Sequence, residues 1–117
     1  MNVHDKGSEL SRALKESDEY KALCRARQEL DKDSAAKEMV RDFFCKQMEM
    51  QLEIMSGKAD IQEKQAALQT LYGVLAVNAR ARDFVALHMR FQQIIQDVYK
   101  MINDAVGEGL DPFAEKK

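Results

Sequence analysis

The sequence predicts an all-α protein of about five helices, two of them long and heptad-patterned. Three observations carry this. The 117 residues include one Pro, five Gly and no Trp, against 45% hydrophobic and 32% charged residues, a mixture rich in helix formers and poor in breakers. Ala36, Val40, Phe43, Gln47, Met50 and Ile54 recur at spacings of 4, 3, 4, 3, 4, a heptad seam. Phe84, His88, Phe91, Ile95, Val98 and Ile102 repeat the same spacing. No segment shows the period-two alternation of a half-buried strand.

The elements follow in order. A first helix is expected over residues 3–16, with Leu10, Ala13 and Leu14 inward. Ser17 is a good N-cap for a second helix, whose first turn holds Asp18 and Glu19, favourable to the helix dipole. That helix carries Tyr20, Leu23, Cys24 and Leu30. Asp33 or Ser34 caps the third, over residues 34–56, and Gly57 stops it. Beside its seam lies a second row, Phe44, Met48, Leu52 and Met55, so its apolar arc spans roughly 220°. Asp60 and Glu63 resemble a capping box for a fourth helix bearing Ile61, Leu68, Leu71, Tyr72 and Leu75, with Gly73 inside it. Asn78 can cap a fifth over residues 79–106, although Val77-Asn78 could equally be a kink; Leu87, Ile94, Met101 and Ala105 broaden its stripe, and Gly107 and Gly109 are expected to end it. This gives one helical domain over residues 1–109 and a flexible tail over residues 110–117.

Composition narrows the function. With 18 basic and 20 acidic residues the formal charge is −2, so no bulk field draws the chain to nucleic acid or anionic lipid. Two Cys are too few for a disulfide scaffold or a Cys-only zinc site. No charged-then-apolar leader opens the chain and no apolar run approaches a membrane span of roughly 18 residues. A cytoplasmic location with reduced thiols is the expectation.

No catalytic, cofactor-binding or metal site is predicted. His88 sits in an apolar seam whose helical neighbours are Phe84, Phe91 and Gln92, none of them a proton or metal partner. Cys24 belongs to an apolar face, and Cys45 falls on the polar side of the third helix. The many acidic residues lack the Glu-x-x-His companions of a di-iron bundle and read as a solvated face. Gly107-Glu108-Gly109 has no strand before it and no helix after it, unlike a phosphate loop. Arg80, Arg82 and Arg90 could form a local basic patch. Met39, Met48, Met50 and Met55 are adaptable packing residues suited to a helix–helix contact.

The stretch from Asp5 to Tyr20 (DKGSELSRALKESDEY), Ala36-Lys37-Glu38-Met39, Phe43 with Gln47 and Gln51, Gly57, and the last helix with Phe84, Phe91 and Ile95 resemble the YlbF/YmcA family of small helical bacterial regulators, especially its short YheA-type members. The resemblance implies five helices that associate with other subunits. In the family's long members it implies an adaptor role beside a ribonuclease in messenger-RNA processing and developmental regulation. Those long members carry a C-terminal cysteine cluster for an iron–sulfur centre, which this sequence lacks. Phe44 stands where the family is expected to place Arg, which widens the apolar face.

The expectation is therefore a non-enzymatic regulatory or adaptor protein without cofactor. It would form a homodimer or larger assembly, or a hetero-complex with related helical subunits. A helix apolar on two sides needs neighbours on two sides, which places Phe43, Phe44, Met48, Leu52 and Met55 at a dimer interface, with Phe91 and Ile94 contributing from the last helix. The alternatives are a weak RNA-binding accessory protein and a small-molecule sensor with an interhelical pocket around His88.

Overall fold

A computed structural model describes residues 2–57 and 60–113. Five helices run in order: α1 (Val3–Glu16), α2 (Asp18–Asp31), α3 (Ser34–Met55), α4 (Ile61–Leu75) and α5 (Ala79–Leu110), with no strand among the described residues. Each begins on a side-chain oxygen that accepts from orphan backbone N–H groups of the first turn: Asn2 for α1, Ser17 for α2, Asp33 for α3, Asp60 for α4 and Asn78 for α5. Ser17 serves two helices. Its Oγ donates to the Leu14 carbonyl at 2.7 Å, closing α1, and accepts from the Tyr20 N–H at 3.2 Å, opening α2. Its extended backbone breaks the helical path between them. Gly57, at φ 73°, follows the end of α3 in the left-handed region that favours glycine.

Two expectations about helix ends and faces need correction. Helix α5 continues through Gly107 and Gly109 to Leu110 and stops before Pro112. Each glycine costs about 1 kcal/mol relative to Ala, too little to halt a long helix. Proline disfavours the α conformation in the residue before it, and Asp111 is extended. Leu110 thus belongs to the helix and not to the tail, whose last part, residues 114–117, lies outside the described residues. In α1, Leu10 and Ala13 are exposed and Leu14 is half-buried, so no residue of this helix is buried. Its main neighbour is α2, which it meets over a short contact.

The core consists of Leu30, Ala36, Val40, Phe43, Leu75, Ala81, Phe84 and Val85. These residues come from the C-terminal ends of α2 and α4 and the N-terminal halves of α3 and α5, so the core sits where those ends converge. Three ion pairs tie elements together: Lys37 to Asp31 and Arg80 to Glu29 beside the core, and Lys64 to Glu53 at the far end of α3 and α4. All are exposed and add little stability.

Away from this junction the helices spread. The molecule measures 47 × 39 × 17 Å with a radius of gyration of 18.1 Å, against about 13 Å for a compact domain of this length. Its accessible surface of 9358 Å² exceeds that of a typical monomer of this mass by roughly 2,900 Å². Its thinnest extent, 17 Å, leaves room for at most two helix layers with axes about 8–10 Å apart, so broad helix faces stay uncovered.

Candidate helix–helix association surface

The faces of α3 divide by where they lie along the helix. Near its start, Ala36, Val40 and Phe43 are buried against the core. Phe44 is half-buried because α5 crosses beside it. Its ring lies 4.6 Å from the His88 imidazole and 6.4 Å from the Phe84 ring. Beyond that crossing α5 no longer covers α3, and the same row continues into solvent. Met48 is 64% exposed, Leu52 61% and Met55 82%. At 100° per residue these three fall within about 60° of one another, a continuous apolar ridge. Isolated apolar side chains on a surface are ordinary, whereas a contiguous apolar row on an uncovered helix face is a candidate contact surface.

The seven residues expected at an interface therefore separate. Phe43 is 2% exposed and belongs to the chain's own core. Phe44 is held by Phe84 and His88, and Phe91 by Tyr20, whose ring centroid is 5.2 Å away. Ile94 is half-buried. Met48, Leu52 and Met55 stay together and free on one ridge. Sequence periodicity marked all of them as apolar-facing. It carries no signal for which are covered by the same chain, because that depends on where α5 crosses α3.

Other apolar surface lies on residues not assigned to the interface. Val3 on α1 and Tyr99, Met101, Ile102 and Leu110 on α5 are more than half exposed, as are Val74 and Val77 at the end of α4. A groove of about 340 Å³ between α3 and α4 has an apolar floor of Met50, Leu68, Leu71 and Val74, with Lys46, Glu49, Glu53 and Lys64 among its lining.

The chemistry-bearing residues do not converge. Burial against Phe44 and Phe84 holds the His88 imidazole below its ordinary pKa, which favours the neutral ring. Cys24 is half-buried on α2 and Cys45 exposed on α3, so one chain does not offer the ligand set of an iron–sulfur cluster. Among the described residues no three His, Cys, Asp or Glu side chains gather where a metal could be held. The neighbouring Cys24 holds the Tyr20 hydroxyl above its usual pKa range. Of the three arginines, Arg80 pairs with Glu29 and Arg82 with Asp83, so they do not form one open basic patch with Arg90. No helix of the described residues is long and apolar enough to cross a membrane.

A family profile described as "Control of competence regulator ComK, YlbF/YmcA" matches residues 3–107. The UPF0342 protein STH1710 of Symbiobacterium thermophilum is 40% identical over 113 residues, covering 97% of this chain and all of the relative. A UPF0342 protein of Caldicellulosiruptor bescii is 33% identical over 117 residues, 98% of each chain. One of Clostridium tetani is 29% identical over the full length of both. The profile's description is of a regulatory role, not of an enzyme.

Proposed function

Since the chain belongs to the YlbF/YmcA family, we propose that it is a non-enzymatic regulatory or adaptor subunit that acts by packing its helices against another subunit, first of all a second copy of itself. The observation that carries this reading is the free ridge of Met48, Leu52 and Met55 on a chain with roughly 2,900 Å² of surplus surface. Burying that ridge across a two-fold axis covers two copies with one self-complementary surface. By family resemblance, the assembly serves bacterial RNA processing and developmental regulation in the cytoplasm, and related helical subunits are its natural hetero-partners.

The test is a tagged pull-down from the native host with wild type and with Met48→Glu/Leu52→Glu. Both positions are exposed, so the charges leave the chain's own core intact, whereas Glu at Phe44 would disturb Phe84 and His88. The reading expects the wild type to retain related helical proteins and untagged copies of itself, and the variant to lose them. Equal recovery by both would contradict it.

A further inference from the structure

Helix α1 has the sharpest division of apolar and polar faces among the five helices, yet none of its residues is buried. Its apolar face is Val3, Gly7, Leu10 and Leu14, spaced 4, 3, 4 and confined to an arc of about 60°. Val3 is 80% exposed and Leu10 38%. An isolated helix of 14 residues is marginal in water and gains its stability from packing such a face. Within the chain that face has little to pack on.

The second unmatched face lies on α5. This helix has 32 residues and α2, its main neighbour, has 14. At 1.5 Å per residue that is about 48 Å against about 21 Å. The Arg80–Glu29 and Tyr20–Phe91 contacts show that α2 runs antiparallel along the first half of α5, with its N-terminal end beside Phe91. Beyond it the apolar stripe continues: the seam residue Val98 is half-buried, while a row along the edge of the seam is exposed. Ile95, Tyr99, Ile102 and Val106 repeat the 4, 3, 4 spacing of α1 within the same narrow arc, and Tyr99 is 67% exposed and Ile102 54%.

The two rows match in length, spacing and width. Ser17 breaks the path that would have carried α1 straight on from α2 along this part of α5. We propose that α1 of a second copy lies on the C-terminal half of α5, and reciprocally, so that two copies exchange their first helices. The contact is isologous and closes as a dimer. It rests on the reading that the chain associates with itself, and it names the elements that do so. Area supports the second copy as occupant. The three ridge residues of α3 cover at most about 750 Å² even at the size of aromatic side chains. The surplus per chain is several times that, and homodimers commonly bury 2,000–5,000 Å² in total. Two reciprocal helix pairs supply surface on that scale.

The experiment is cysteine cross-linking of the full chain on a Cys24→Ala/Cys45→Ala background. One copy carries Gly7→Cys, where an added Cβ meets nothing within 4 Å. A second copy, with a mass tag, carries Tyr99→Cys or Ile102→Cys. The two positions serve parallel and antiparallel packing. On mild oxidation of the mixed proteins, a disulfide joining one tagged and one untagged chain is expected from one of the two combinations. Its absence from both overturns the exchange. So does a chain bearing both cysteines that closes on itself, since α1 then folds back on its own α5. A second measurement needs no cross-link. Leu10→Glu alters no buried residue of the chain and is expected to weaken self-association at least about tenfold, because it places an unpaired carboxylate in the contact. Unchanged association overturns the inference while leaving a dimer through α3 intact. A wild type that does not self-associate at all overturns the underlying reading.

Discussion

Asp33 and Asn78, 45 residues apart in sequence, cap two helices and each other. Asp33 Oδ1 accepts from the Ala36 N–H at 3.1 Å and starts α3. Asn78 Oδ1 accepts from the Ala81 N–H at 3.1 Å and starts α5. Asn78 Nδ2 then donates to Asp33 Oδ2 at 3.4 Å, so the two longest helices begin from one linked pair beside the buried Ala36 and Ala81. Asn78→Ala is expected to lower unfolding free energy by about 0.5–2 kcal/mol, the usual worth of an N-cap. Asp33→Ala removes a cap and the link together. Chemical denaturation of both singles and the double will show a coupling above the noise of additivity, about 0.3–0.5 kcal/mol. Strict additivity would mean that the two caps act independently.

Protonation of His88 sets the pH dependence near neutrality. Burial holds its pKa below the ordinary 6.5, so the unfolded chain binds a proton before the folded one does. Stability from the neutral ring is fully present above about pH 6.5 and is lost as pH falls through that value towards the folded pKa. Wild-type melting temperature should therefore decline between about pH 7.5 and 5.5, and His88→Gln should flatten that decline. Glu29, Asp31 and Asp33 are also shifted down, but because their charged forms are favoured rather than because of burial. Their ion pairs and hydrogen bonds hold them below 4.5 and 3.8, so their contribution fades only in more acidic solution. A His88→Gln profile parallel to wild type would contradict the assignment.

Two leucines on successive helices should respond in opposite ways. Leu75 is fully buried in the core, and Leu75→Ala is expected to cost about 2–5 kcal/mol at any protein concentration. Leu52→Ala removes only exposed surface from a single chain, which usually changes stability by less than about 0.5 kcal/mol. In an assembly that buries Leu52, the same change lowers the melting temperature more at high concentration than at low, because association stabilises the folded state by mass action. Melting curves over a hundredfold concentration range will separate the two.

Helix α5 supplies a backbone test. An added Cβ at Gly109 meets nothing within 4 Å, and Gly109 is helical. Gly109→Ala should stabilise the last turns by up to about 1 kcal/mol and raise helicity by circular dichroism. A loss of helicity would mean that the helix ends before this glycine.

What was legible in the sequence was local. Ser17, Asp33, Asp60 and Asn78 signalled their helix starts because a cap needs only its own first turn. The end of α5 was misplaced because two glycines looked like stops, while the conformational demand of Pro112 decided the matter. The heptad rows were legible as apolar faces, but periodicity does not say what covers a face. Phe44 and Met48 stand in one row of α3, and one is sheltered by Phe84 and His88 while the other is in solvent. Leu10 looked like a core residue of α1 for the same reason, although it stays 38% exposed.

The central claim is that this chain is built to be completed by another subunit, and sedimentation equilibrium of the untagged wild type from about 1 to 100 μM tests it most directly. The account predicts a species of twice the 13.4 kDa chain mass, or a larger even multiple, that dissociates on dilution. A species of 13.4 kDa persisting at 100 μM would contradict it.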